Sequence, residues 1–292
     1  MEVAEIFRSY RRAACDERAF VLHAVGIPSQ VGWNGRSWSL LVAGEHEEEA
    51  IAQLVRYQRE NPPRRSGLEP EPVQRLAWLG CAAYVLVLLA VGYLAGRDAF
   101  GRDWFGDGGL RAGAVQAGEA WRAVTALTLH VDVGHLLANL GFGTVFGLLA
   151  GQLIGPGLTW SAVLVAAALA NFLNSMIQSP EYGSVGASTA VFATLGLLAA
   201  YSWRRRATRA DRWAYRWAPL VAGVALLAFT GVGGERTDVL AHLTGFVMGA
   251  IAGVLLASIR RPLAGWAQWT LGAAALAGIA AAWWIALGSV PS

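Results

Sequence analysis

The sequence predicts an all-α polytopic membrane bundle, six core transmembrane helices plus a seventh at the C-terminal end, preceded by a small N-terminal α+β soluble domain. Three observations predict it. Hydrophobic residues make up 55% of the 292 and charged residues 15%, and the mean hydropathy is +0.42, whereas an ordinary soluble domain carries about 25% charged residues. Every long apolar stretch lies after Arg75, while the chain before it alternates charged and apolar residues. Beyond Arg75 the apolar stretches number seven, each near the roughly 17–25 residues that cross a hydrocarbon core.

The boundaries expected from these shifts are residues 1–61 for a cytoplasmic α+β domain, 62–75 for a linker and 76–292 for the transmembrane domain. In the first, the pattern from Glu5 to Ala24 suits a helix ending at Gly26. Ser29–Trp33 and Ser37–Val42 flank Asn34-Gly35, a strong hairpin signal. Glu47-Glu48-Glu49 then place negative charge where a helix begins, and Ile51, Leu54 and Val55 follow at helical spacing. Asn61-Pro62-Pro63 stops that helix. No catalytic constellation is visible in this domain. The Pro- and Arg-containing stretch after it reads as a linker.

The seven apolar runs are Leu76–Ala95, His135–Gly151, Leu158–Ile177, Ala187–Trp203, Ala218–Gly233, Val239–Ile259 and Trp266–Leu287. Met1–Phe20 has no apolar core followed by small residues, so no cleavable signal peptide is read and the N-terminus is expected in the cytoplasm. That threading puts the Arg204–Arg216 and Arg260-Arg261 loops inside, as the positive-inside rule requires. It puts Gly96–Gly134, Gln178–Gly186, Gly234–Asp238 and the C-terminus outside. The expected setting is the plasma (inner) membrane of a bacterium, with the bilayer itself as a partner.

Composition also excludes function classes. The formal charge of +3 comes from arginine alone, with no lysine in the chain, and the arginines sit mostly between apolar runs, so nucleic-acid binding is a poor reading. Cys15 and Cys81, the only cysteines, support neither a disulfide framework nor a thiolate metal site. His-Glu-x-x-His is absent, and on a helix His130 and His135 would point about 140° apart, which argues against an intramembrane metalloprotease. A transporter would call for paired intramembrane carboxylates or a convincing repeat between halves, and neither is found.

The polar residues that remain collect at the outer starts of the second, fourth and sixth runs. His135 and Asn139, four apart, share one helical face, continued by Gly143, Gly147 and Gly151, whose size lets helices approach closely. Polar residues inside a membrane are costly and mark function more often than structure. Gly186-Ala187-Ser188-Thr189 opens the fourth run and places the Ser188 hydroxyl near a helix N-terminus, where unpaired backbone N–H groups can stabilise an oxyanion. Gly-x-Ser alone is weak, because a serine at a helix start is usually a plain cap. A base is supplied by His242 on the sixth run, followed by Gly245, Gly249 and Gly253 in a small-xxx-small pattern. Tight packing against the fourth run would bring His242 to Ser188.

Taken together, Trp121-Arg122, His130 with His135 and Asn139, Gly186-Ala187-Ser188, and Ala241-His242 with Gly245 and Gly249 resemble the rhomboid intramembrane serine proteases, over roughly Gly118 to Gly253. The resemblance implies Ser188 as nucleophile and His242 as general base in a dyad without a carboxylate. It implies an oxyanion site from the Ser188 amide, His135 and Asn139, and no cofactor. Single-span transmembrane proteins would be the substrates. It implies a partly submerged outer segment holding Trp104, Phe105, Trp121 and Arg122. Three departures stand out: Thr189 replaces the glycine usual after the nucleophile, Phe192 replaces the tyrosine often stacked on the catalytic histidine, and Gly151-Gln152 replaces an acidic residue near the inner end of the second span. The alternative reading is a catalytically inactive relative that binds transmembrane helices, which Thr189 favours and the retention of Ser188 and His242 opposes.

Overall fold

The computed structural model of the chain describes residues 2–61, 74–207, 213–231, 238–259 and 263–288. The linker expected at 62–75 and the loops expected at Gly234–Asp238 and Arg260-Arg261 lie largely or wholly outside the described residues, and of the loop expected at Arg204–Arg216 the two ends are helical, in Ser188–Ala207 and Trp213–Gly231, with 208–212 outside the described residues. The chain divides into two units, Met1–Glu71 and Pro72–Ser292.

The first unit runs β1 (Val3–Ser9), α1 (Arg12–Ala24), β2 (Ser29–Trp33), β3 (Trp38–Ala43) and α2 (Glu47–Glu60). Its sheet is antiparallel throughout, in the order β1-β3-β2. The expected hairpin is present: Trp33 pairs with Trp38, Gly35 takes φ +88°, and the Asn34 Oδ1 accepts from the backbone N–H of Arg36 at 3.0 Å and Ser37 at 2.8 Å. Glu5–Ala24 is not one helix, however. Val3–Ser9 is a strand, and the helix begins only at Arg12. The apolar residues Ala4, Ile6 and Phe7 all pack on the core because a bulge between Glu5 and Phe7 interrupts the alternation. The local pattern therefore imitates a helix, and the strand is selected by β3, more than thirty positions away. That core is Leu22, Ile27, Leu40, Val42, Ala50 and Leu54. Leu54 is buried as expected, whereas Ile51 and Val55 remain exposed.

In the second unit α3 (Ala77–Ala95) precedes a segment of short pieces: α4 (Trp104–Gly108), β4 (Leu110–Arg111), α5 (Ala112–Gln116) and α6 (Arg122–Thr125). Then come α7 (Val133–Ile154), α8 (Pro156–Ile177), β5 (Gly183–Ser184), α9 (Ser188–Ala207), α10 (Trp213–Gly231), α11 (Val239–Leu256) and α12 (Gly265–Gly288). Each of the seven predicted runs thus coincides with a helix. Among the described residues, α3, α7, α8, α11 and α12 are the five long and apolar enough to cross a membrane by length and composition. Of the other two, α9 ends in Arg204, Arg205 and Arg206, and α10 contains the shorter described apolar stretch Trp213–Phe229. The chain is a multi-pass membrane protein.

Close approaches set the bundle. The α7 glycines take neighbours that a Cβ would displace: Tyr84 at Gly143, Trp160 at Gly147 and Ala77 at Gly151. Between α9 and α11 the contact is backbone to backbone, with Gly245 against the Thr189 carbonyl, Gly249 against Ala193, Gly253 against Leu197 and, from the other side, Gly196 against Phe246. The seventh helix is built in rather than appended. Its buried Gln268 accepts from the Leu158 N–H at 2.9 Å and donates to the Ile154 carbonyl at 3.2 Å, closing the α7–α8 junction at Gly155, where φ is +104°. At its other end the Trp283 Nε1–H donates to the Thr128 hydroxyl at 3.0 Å, and the indole packs on Trp104 with ring centres 4.5 Å apart. An apolar cavity of about 330 Å³ lies among α3, α8 and α12, reaching Ala187 and Ala190.

Candidate active site

α9 begins at Ser188, which is half-buried, while Gly186, Ala187 and Thr189 around it are buried. The approach to it is shaped by Gly186, whose φ of +137° suits glycine and whose absent Cβ makes room for the His135 ring. A Cβ there would lie 2.6 Å from the His135 Cε1 and 2.8 Å from its Nε2. The Gly186 N–H donates to the Ala126 carbonyl at 2.9 Å, and the Ala187 N–H donates to His130 Nε2 at 3.3 Å. Two consecutive amides before Ser188 are thereby fixed, and His135 stands beside them.

His130 and His135 are neighbours, with ring centres 5.1 Å apart. This corrects the helical-spacing argument: α7 starts only at Val133, so His130 lies in the loop before it and its orientation is free of helical periodicity. Among the described residues, no group of three or more His, Cys, Asp or Glu gathers around the pair. Burial first, and the adjacent His135 second, lower the His130 pKa to about 4. The neutral ring that results can accept a hydrogen bond.

Asn139 faces the same way one turn further along α7 and is 5% exposed. Its side-chain Nδ2 is buried without a hydrogen-bond partner among the described residues, whereas its backbone carbonyl accepts from the Tyr84 hydroxyl at 2.9 Å. A buried amide left with unused donors costs free energy, and it is the group a developing oxyanion would satisfy.

On α11, His242 is 7% exposed and lies against the Phe192 ring, with centres 4.3 Å apart and planes at 33°. The helix is capped by Asp238, whose carboxylate accepts from the Ala241 N–H at 3.0 Å and from the Tyr182 hydroxyl. Burial, and then Asp238, raise the Tyr182 pKa above the usual phenol value. Tyr182 belongs to the loop that enters α9 through β5, which pairs with β4. One contact therefore links the approach to Ser188 with the start of the helix holding His242. Since Gly245 opposes Thr189, one turn earlier on α11 His242 comes level with the start of α9. Thr189 is buried in this contact and fits because Gly245 has no side chain.

Ser188, His242, Phe192, His135, Asn139, His130, Gly186 and Gly245 thus lie toward the starts of α7, α9 and α11, while Gly249 packs on Ala193 further along the α9–α11 contact. Trp121 and Arg122 do not join them. Arg122 is buried in the segment of short pieces between α3 and α7, where it bonds Glu119 at 2.6 Å and the carbonyls of Gly106 and Gly109 at 2.8 Å each. It shapes that segment. Sequence reasoning missed Tyr182 and Asp238, whose pairing spans residues far apart in the chain. It also missed Asn171, which donates to the Ala123 carbonyl at 3.0 Å, and Asn174, which donates to the Thr244 hydroxyl at 3.0 Å. The two asparagines carried the same signal as Asn139, an amide inside an apolar run.

Residues 117–259 match the family model for the Rhomboid domain. The chain is 29% identical over 147 residues to Rhomboid-like protease 2 of Toxoplasma gondii, covering 49% of this chain and 50% of that protein. It is 27% identical over 177 residues to Rhomboid-like protease 3 of the same organism, covering 60% and 66%, and 25% identical over 146 residues to Rhomboid protease GlpG of Haemophilus influenzae, covering 50% and 74%. The match thus spans about half to two thirds of the two Toxoplasma proteins.

Proposed function

The chain belongs to the rhomboid family, an intramembrane protease family, and on that premise we propose that it is a serine endopeptidase that cleaves single-span membrane proteins in or near their transmembrane segments. The observation that carries the reading is the interlock of α9 and α11, which sets Ser188 at a helix start beside Gly186 and His135 while the Phe192 ring braces His242. In the proposed reaction the Ser188 hydroxyl attacks the scissile carbonyl as His242 takes its proton. The oxyanion is held by the Ser188 amide, the His135 ring and the orphaned Asn139 amide. His242 then returns the proton to the leaving amine, and water repeats the sequence on the acyl-enzyme. The residues present need no metal or other cofactor for these steps.

The test is active-site labelling of the purified full chain with a fluorophosphonate. An activated serine reacts quickly and a capping serine does not. Label should appear at Ser188, and Ser188→Ala and His242→Ala should each lose nearly all of it. Folded wild-type protein that neither labels nor cuts a single-span substrate, while Thr189→Gly does both, would favour the helix-binding alternative.

A further inference from the structure

The first unit is electrically polarised along its sheet. The register aligns Ser9, Trp38 and Trp33 at one end and Val3, Ala43 and the start of β2 at the other. At the first end lie Arg8, Tyr10, Arg11 and Arg12 beyond β1, with Arg36 in the hairpin. α2 starts beyond Ala43 at the opposite end and runs back, its Tyr57 hydroxyl donating to Glu17 in the second turn of α1 at 2.9 Å. Its last turn therefore adds Arg59 to the same end, with Arg56 just before it. Glu2, Glu45, Glu47, Glu48 and Glu49 occupy the other.

This basic end also exposes aromatic side chains. Tyr10 is 85% and Trp33 52% exposed, the Trp33 ring leans on Trp38 with centres 5.1 Å apart, and the Arg12 guanidinium covers Trp38 at 5.1 Å. Arg8, Arg12 and Arg56 are paired with Glu5, Asp16 and Glu60, while Arg11, Arg36 and Arg59 make no ion pair among the described residues. Exposed Trp and Tyr beside Arg is the composition that sits at a headgroup layer, and arginine is attracted to anionic lipid. α2 ends at Glu60, at this end, and in sequence Arg64 and Arg65 follow. Residues 2–61 hold seven arginines against nine acidic residues, so an anionic surface repels the unit as a whole and accepts it only in the orientation that presents the basic end.

We propose that the Tyr10–Trp33–Arg36 end of the N-terminal unit is a docking surface for anionic phospholipid headgroups. Tethering to a membrane-embedded chain supplies a high effective concentration, so modest attraction suffices, and what the charge asymmetry adds is orientation.

The experiment uses the full chain in vesicles of phosphatidylcholine alone or of phosphatidylcholine mixed equally with phosphatidylglycerol. An environment-sensitive fluorophore is attached in turn at Tyr10→Cys and at Glu48→Cys; Cys15 and Cys81 are buried. At position 10 the emission should shift to the blue and brighten in the anionic vesicles, and at position 48 it should not. Arg11→Glu with Arg36→Glu should abolish the shift. So should wild-type arginines in about 1 M salt, where the screening length falls to about 3 Å, a control that involves no refolding. Equal emission at the two positions, or emission at position 10 indifferent to lipid charge or to salt, overturns the proposal.

Discussion

At the scale of single residues, the polar side chains around Ser188 divide into those that hold backbone and those left with capacity to spare. Asn139 is the clearest of the second kind, because its buried amide donors have no partner while its carbonyl does. Asn139→Ala should therefore lower cleavage by about 10²–10³, the usual effect of deleting one oxyanion donor, with the melting temperature nearly unchanged. An undiminished rate would make Asn139 structural. His130 is of the first kind. Its pKa is depressed to about 4, so the unfolded chain takes up a proton before the folded one does. Because burial, and then His135, disfavour the charged ring, the stability that depends on a neutral His130 is complete above its ordinary value of about 6.5 and is lost as pH falls toward 4. His130→Gln keeps an acceptor that does not titrate. The melting temperature of wild-type protein in detergent should fall more steeply through that window than that of His130→Gln, and parallel curves would dismiss the mechanism.

At the scale of elements, the sequence carried the helices and much of the site because the physical signals there are local. Apolar length marked all seven helices, charge marked the start of α2, and small-xxx-small spacing marked the α9–α11 contact. What it did not carry depended on partners remote in the chain. β1 exists because β3 is beside it, Gln268 matters because Leu158 and Ile154 end two other helices there, and Tyr182 finds Asp238 across the bundle. The glycine contacts yield a graded prediction. A Cβ at Gly249 overlaps the Ala193 carbonyl and lies 2.6 Å from its Cα, whereas one at Gly278 meets nothing within 4 Å. Gly249→Ala should cost about 1–3 kcal/mol, the range for forced overpacking, and Gly278→Ala should be neutral or slightly stabilising. Thermal unfolding of the two variants in one detergent compares them directly, and equal melting temperatures would contradict the interlock.

At the scale of the whole molecule, every residue assigned to chemistry lies in Pro72–Ser292, and none in Met1–Glu71. A chain beginning at Arg65 should therefore still cut a substrate in detergent micelles, where no bilayer is available for the first unit to read. Loss of cleavage by such a protein, shown to be folded, would move part of the site into the first unit. The backbone-to-backbone contact of α9 with α11 has a further consequence for how a substrate gets in. At Gly245, Gly249 and Gly253 there are no side-chain layers to slip past one another, so these two helices travel together or not at all. A path that parted them would dismantle the proposed dyad on the way to using it. If the chain cuts as proposed, admission falls to neighbours that hold neither Ser188 nor His242, and the helices that would choose a substrate differ from the helices that would cut it.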